Sequence, residues 1–167
     1  SFLHGMVTND INGLQLGASC YAAVLTAKGA MVGDERIVKS ENDLLVETDP
    51  KRSAEIRAHL LRFLISEDAE IVDASDVTAM GLVGPAANEV FEKLKSAQKL
   101  QPILSFLGGI DFLLPTSAVD RIRLELDGVV QLSPKTLEVI RVERGVPLFG
   151  VDMTQSTIPL EANLHHA

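Results

Sequence analysis

The chain has 167 residues, 46% hydrophobic and 23% charged, an ordinary globular balance that excludes a disordered chain. Aromatic residues make up only 4%, Trp is absent and the net charge is −8. These values exclude both the stacking platform of a single-strand binder and the basic footprint of a nucleic-acid or anionic-membrane binder. A single cysteine, Cys20, supplies neither an internal disulfide nor a multi-cysteine metal cage, which predicts a reducing, cytoplasmic setting, or the mitochondrial matrix in a eukaryote. No apolar run reaches the roughly 18 residues that cross a bilayer. The chain opens at Ser1 and closes at Leu164-His165-His166-Ala167, which reads as a fragment.

In residues 2–12, Phe2, Leu3, Met6, Val7 and Ile11 recur at helical spacing before Asn12-Gly13, predicting a short helix that ends in a turn. Strands are then predicted over 19–25, 31–38 and 44–48, joined by turns at 26–29 and 40–43, as an antiparallel meander. Asp49-Pro50 fits an N-cap with proline at the first helical position. Ile56, Leu60, Phe63 and Leu64 follow as one buried stripe of a helix running to residue 65. Residues 70–73 and 77–83 read as strands, and Gly84-Pro85 opens a helix with Val90, Phe91 and Leu94 inside.

Further on, 103–106 and 110–114 form a predicted hairpin about Gly108-Gly109, while 117–127 mixes helical and alternating character. A last helix starts at Ser133-Pro134 and carries Leu137, Ile140 and Arg141 towards Gly145. The predicted class is α+β: antiparallel sheets with packed helices in two lobes. The first lobe spans 1–75, and the second spans 76–167 including a return segment.

Several site classes are missing from the sequence. There is no phosphate-cradling glycine loop, no nucleophile elbow and no metal-spaced histidine pair on a helix. His165 and His166 are adjacent, so on a strand they point to opposite faces, and chain-end polarity accounts for them without a metal. Cys20 sits inside an apolar strand pattern and reads as a small buried hydrophobe.

Three segments carry a resemblance. The first is Phe2-Leu3-His4-Gly5-Met6-Val7-Thr8-Asn9-Asp10-Ile11; the second is Leu25-Thr26-Ala27-Lys28-Gly29-Ala30-Met31-Val32-Gly33-Asp34. The third runs from Arg141-Val142-Glu143-Arg144-Gly145 through Phe149-Gly150-Val151-Asp152-Met153 to Ile158-Pro159-Leu160-Glu161-Ala162-Asn163-Leu164. In order and separation they resemble the folate-binding superfamily that contains the glycine-cleavage T-protein (aminomethyltransferase) and the YgfZ-type iron–sulfur cluster assembly proteins. The resemblance implies the two-lobed T-protein folate-binding core and tetrahydrofolate as the cofactor. In YgfZ-type members it also implies a Lys-Gly-Cys-Tyr-x-Gly-Gln-Glu signature and a small β-barrel further along the chain.

A reduced pterin presents N3–H beside an exocyclic amino group, and one carboxylate can accept both hydrogens. Asp111 stands where the resemblance implies the pterin-binding glutamate, with a solvated hairpin residue as the alternative. Asp34 stands at the family aspartate implied to orient the folate and assist proton transfer, so it would be catalytic if the protein is a transferase; otherwise it is a hairpin charge facing water. Asn9, Tyr21 and Arg141 complete the implied folate contacts. For these the alternatives are a helix terminator, a core ring and an internal salt bridge.

Two departures from the transferase pattern favour a YgfZ-type folate-binding protein that assists iron–sulfur cluster assembly or repair, with assembly proteins or client enzymes as partners. Gly33 replaces the first of the transferase's paired aspartates, and 105–109 replace its Arg-Thr-Gly-Tyr-Thr-Gly-Glu stretch. The alternative is an aminomethyltransferase passing a one-carbon unit from a lipoyl-borne aminomethyl group to tetrahydrofolate. A third reading is a scaffold that has lost its chemistry.

Overall fold

The computed structural model describes residues 1–97, 100–162 and 164, and its contacts divide the chain into two units. One consists of Ser1–Asp73 with Pro147–Ala167, the other of Ala74–Val146. The architecture is α+β with antiparallel sheets, as the residue pattern predicts.

In the first unit β1 (Ser19–Leu25), β2 (Met31–Lys39) and β3 (Leu44–Glu47) pair antiparallel in the order β1-β2-β3. Residues opposite one another across a ladder share a face of the sheet. Cys20, Ala22 and Val24 therefore stand with Ile37, Glu35 and Gly33, and Tyr21 and Ala23 stand on the other face with Arg36 and Asp34. Helix α1 (Ser53–Leu61) covers the first face through Ile56 and Leu60, which cluster with Leu3, Ile11 and Ile37. Phe149, Met153 and Leu164 cluster with Ala23 and Met31 of the second face. Cover on both faces is why β2 is almost continuously buried.

The return segment from Pro147 thus belongs with the first unit, whereas the sequence reading put 76–167 in one lobe. The cause is the second face of the β1–β2 sheet: its apolar residues Ala23 and Met31 are covered by Phe149, Met153 and Leu164, from far along the sequence. Residues 2–12 also depart from expectation. Only Leu3–Gly5 form a helical turn, of 3-10 type. Val7 instead bridges Val24, the Thr8 amide donates to the Ala23 carbonyl, and Thr8 Oγ1 accepts from the Ala23 amide. The next side chains bond locally, Asn9 to the Asp10 amide and Asp10 to the Gly13 amide, and such bonds compete with helix.

Helix α1 starts at Ser53 rather than at Pro50, because the Asp49 side chain and carbonyl engage the amides of Lys51, Arg52 and Ser53 in a turn first. It ends at Leu61, which leaves Phe63 exposed rather than in the buried stripe. Residues 70–73 form no strand.

The second unit contains β4 (Val77–Leu82), α2 (Ala87–Ala97), β5 (Gln101–Ile103), β6 (Ile110–Pro115), α3 (Val119–Glu125) and α4 (Pro134–Glu143). Its antiparallel sheet has the order β4-β6-β5. Phe91 and Leu94 of α2, Phe112 and Leu114 of β6, and Ile122 of α3 form the core, with the Phe91 and Phe112 rings 5.4 Å apart. Gly109 has φ +111, and a Cβ there would lie 2.1 Å from the Leu82 carbonyl oxygen, so only glycine lets the hairpin close on β4. Ser133 caps α4: its Oγ accepts from the Thr136 amide at 3.1 Å, with Pro134 at the first helical turn. Among the described residues no helix is long and apolar enough to cross a membrane.

Candidate functional site

Three residues singled out by the resemblance meet in the first unit. Asp34 lies mid-β2 and Tyr21 mid-β1, on the same face, and the Tyr21 hydroxyl donates to Asp34 Oδ2 at 2.9 Å. Asn9 Nδ2 donates to the Tyr21 carbonyl at 2.8 Å, tying the loop after the first 3-10 turn to the strand that carries the phenol. A hydroxyl, an amide and a carboxylate are thereby held on one frame of backbone hydrogen bonds.

Burial raises the Asp34 acid above the ordinary carboxylate range, and the Asp49 charge pushes the same way. The Tyr21 hydroxyl and the backbone amides of Asp34 and Phe149 pull in the opposite direction. The Tyr21 phenol is driven upward by burial and by the Asp34 charge, so it remains a hydrogen-bond donor across the physiological range. An acid with heightened proton affinity, held by a neutral phenol, has the chemistry of a group that takes and returns a proton.

Beside it is a group that sequence reading passed over. Glu35 is 2% exposed, points to the face covered by α1, and has no hydrogen-bond partner for either carboxylate oxygen. Desolvation, assisted by the Asp34 charge, pushes its acid up to about 7. The available signal was alternation: one of two adjacent acids in a two-faced strand must point inward. Arg36, on the Asp34 face, is likewise buried and pairs with Glu47 of β3 through Nε at 2.6 Å and through Nη2.

The second unit places Asp111 on β6, opposite Gly81 of β4 and Ile103 of β5. Ser105 Oγ donates to Asp111 Oδ1 at 3.0 Å, and a Cβ on Gly81 would come within 2.6 Å of the same oxygen. The glycine is what lets the carboxylate lie across β4. Arg141 is buried on α4, with Nε and Nη2 forked onto Glu138 at 2.9 and 2.6 Å and Nη1 donating to the Val146 carbonyl. An internal ion pair therefore engages its guanidinium, the alternative weighed from its place on an apolar helix face.

The Cys20 thiol is half-buried, and burial with the nearby Asp10 charge raises it, away from thiolate reactivity. Among the described residues no group of three or more His, Cys, Asp or Glu side chains is arranged to hold a metal ion. His165, His166 and Asn163 lie outside the described residues.

No family model matches the chain. Among curated proteins, an aminomethyltransferase of Geobacillus kaustophilus is 28% identical over 197 aligned positions, which cover the whole chain and 54% of that protein. An aminomethyltransferase of Bacillus mycoides is 26% identical over the whole chain and 53% of its own length. The chain spans about half the length of the curated relatives it matches. Among solved structures, the glycine cleavage system aminomethyltransferase T of Bartonella henselae superposes with a TM-score of 0.82 at 18% identity, covering 95% of this chain and 49% of that one. The fold of this chain is that of the solved aminomethyltransferase T, and the curated relatives it resembles are aminomethyltransferases.

Proposed function

We propose that this chain is the tetrahydrofolate-handling core of an aminomethyltransferase-type protein. The observation that carries the reading is the half-buried Asp34 carboxylate, with raised proton affinity and held by Tyr21, whose strand Asn9 ties to the preceding loop. The relatives' name supports the transferase over the assembly role that the departures at Gly33 and at 105–109 favour by themselves. Tetrahydrofolate supplies the nucleophilic nitrogens that accept a one-carbon unit. Asp34 orients the folate and holds or returns the proton exchanged there, while Tyr21 keeps its carboxylate aimed. Asp111, braced by Ser105, accepts the pterin N3–H and amino hydrogens. Arg141 acts through Glu138 and the Val146 carbonyl by setting the turn that ends α4. The partner this reading requires is a carrier protein with an aminomethyl-loaded lipoyl arm, in the cytoplasm or the mitochondrial matrix.

One observation favours the second reading, a folate-binding factor for iron–sulfur cluster assembly without transfer chemistry. Gly33 faces α1, where a Cβ would meet Ile56 Cδ1 at 2.6 Å, so an aspartate in its place would require Ile56 to shift. Calorimetry and a transfer assay on the full-length protein separate the two. Under either reading Asp111→Ala weakens tetrahydrofolate binding by about 1–3 kcal/mol, and an unchanged affinity rejects the assignment of Asp111. Turnover of an aminomethyl-loaded lipoyl carrier, lost in Asp34→Asn, establishes the transferase; folate binding without turnover leaves the assembly factor.

A further inference from the structure

One buried group in the first unit takes no part in these roles. Glu35 is 2% exposed, and among the described residues neither of its carboxylate oxygens has a hydrogen-bond partner. It stands opposite Ala22 and between Gly33 and Ile37, on the sheet face that α1 and the opening segment cover. An ionised carboxylate without a donor costs far more in such a place than its neutral acid does, so proton and cover depend on one another.

The surrounding elements bring no counter-charge to it. On this face β1 presents Cys20, Ala22 and Val24, β2 continues to Ile37 and, at its far end, Lys39, and β3 adds Leu44 and Val46. The opening segment packs Leu3 and Ile11 here and keeps its His4–Asp10 pair at the surface, while the loop at Ile71 adds the exposed acids Glu70 and Asp73. The charged and titratable groups of α1 and its flank are engaged elsewhere: Arg52 with the Val32 carbonyl and Glu55, Arg57 with the Ile71 carbonyl, His59 with the Leu25 carbonyl. On the other face Arg36 is paired with Glu47, and the Asp34 charge raises the Glu35 acid further.

Helix α1 is the weakest part of this cover. It is nine residues long, too short to be stable undocked, has no side-chain N-cap, and buries only Ile56 and Leu60. Side chains make the bonds that tie it to the sheet, whereas the opening segment is joined to β1 through backbone, at Val7–Val24 and from the Thr8 amide to the Ala23 carbonyl. Relief of a charge under the cover is therefore cheapest by opening α1. Such opening reaches the Asp34 face, because the Arg52 guanidinium lies 4.4 Å from the centroid of the Phe149 ring, the Phe149 amide bonds Asp34, and the Asp49 turn leading into α1 places its charge near Asp34.

We propose that Glu35 is a pH latch beneath α1: protonated, it leaves the helix docked on the sheet; ionised, it releases the helix and loosens the Arg52–Phe149 contact and the Asp49 turn beside Asp34. The latch holds whatever ligand the first unit takes, so its failure leaves the folate reading untouched. The acid is raised in the docked form from 4.5 to about 7, so the docked form binds the proton more tightly than the open one. Docking is then strongest below about pH 4.5, weakens about tenfold per pH unit as pH rises towards 7, and is level above that.

Amide hydrogen exchange of the full-length protein between pH 5 and pH 8.5, corrected for the intrinsic pH dependence of exchange, tests this. The α1 amides are expected to lose protection on the order of a hundredfold from pH 5 to pH 7 and little beyond, to exchange faster than those of β1 and β2 throughout, and to do so while the second unit is unchanged. In Glu35→Gln the α1 amides should keep their pH 5 protection up to pH 8.5; Glu35→Leu carries the same expectation should the amide not be accommodated. Protection of α1 that does not vary with pH overturns the latch, as does a pH dependence that survives both substitutions, which would move the switch to another group such as His59. Loss of protection in α1, β1 and β2 together, at one common rate, also overturns it in favour of unfolding of the whole unit.

Discussion

The two sheets share an antiparallel three-strand plan and use their central strands in opposite ways. In the first unit, β2 carries Asp34, Glu35 and Arg36 in succession, the first half-buried and the other two buried, between two apolar layers. In the second, β6 carries one acid, Asp111, near the hairpin end, on the face opposite to Phe112 and Leu114, which pack against α2 and α3. The second unit keeps its core apolar and its polar group at a partly open position. The first accepts the cost of desolvated acids in its sheet, and that cost is what raises their proton affinity. Stability and chemistry are separated in one unit and superimposed in the other.

This contrast can be broken most directly at the apolar core. Phe112→Ala removes a fully buried ring packed on Phe91 and is expected to destabilise the second unit by about 3–5 kcal/mol, read by hydrogen exchange of its amides.

Next in size is the charge stored in the first unit. The Glu35 acid is raised from an ordinary 4.5 to about 7. The folded state therefore holds its proton more tightly than the unfolded state does. The associated stability is complete below about pH 4.5, declines as pH rises towards 7 and is gone above that. Glu35→Gln is expected to flatten this decline and to stabilise the first unit at pH 8 by on the order of 2–3 kcal/mol, as denaturant melts at pH 4.5 and pH 8 would show.

A smaller effect is expected at Gly33, where a methyl group meets Ile56 Cδ1 at 2.6 Å. Gly33→Ala should cost about 1–3 kcal/mol through overpacking, less if Ile56 changes rotamer; a gain in stability would show that the glycine is not required by α1 packing. The smallest change sharpens the site itself. Tyr21→Phe removes a donor that lowers the Asp34 acid, so the Asp34 titration should move further upward, observed by carboxyl NMR, with about 1 kcal/mol lost in stability.

The fold was largely legible where period and burial agree. The β1–β2–β3 meander, the Phe91–Leu94 face of α2, the hairpin about Gly108-Gly109 and the Ser133-Pro134 helix start follow from alternation, helical spacing and capping chemistry. The opening segment did not, because its helical spacing of apolar residues was overridden by bonds to the edge of β1 and by the local side-chain turns of Asn9 and Asp10. The α1 boundaries moved for a similar reason, since the Asp49 turn uses the amides that a helix starting at Pro50 would have placed in its first turn.

At the candidate site, the resemblance carried by three sequence segments, and not composition or spacing, singled out Asn9, Tyr21, Asp34, Asp111 and Arg141. Only the tertiary structure decided what each one faces. Strand register put Tyr21 and Asp34 in contact and turned Glu35 inward. Helix α4 supplied Glu138 to Arg141, and the return of the chain at Pro147 brought Phe149 to Asp34 and Arg52. Local sequence carries propensity and periodicity, whereas desolvation and ion pairing depend on which distant segment covers a face, and that is settled only when the chain packs.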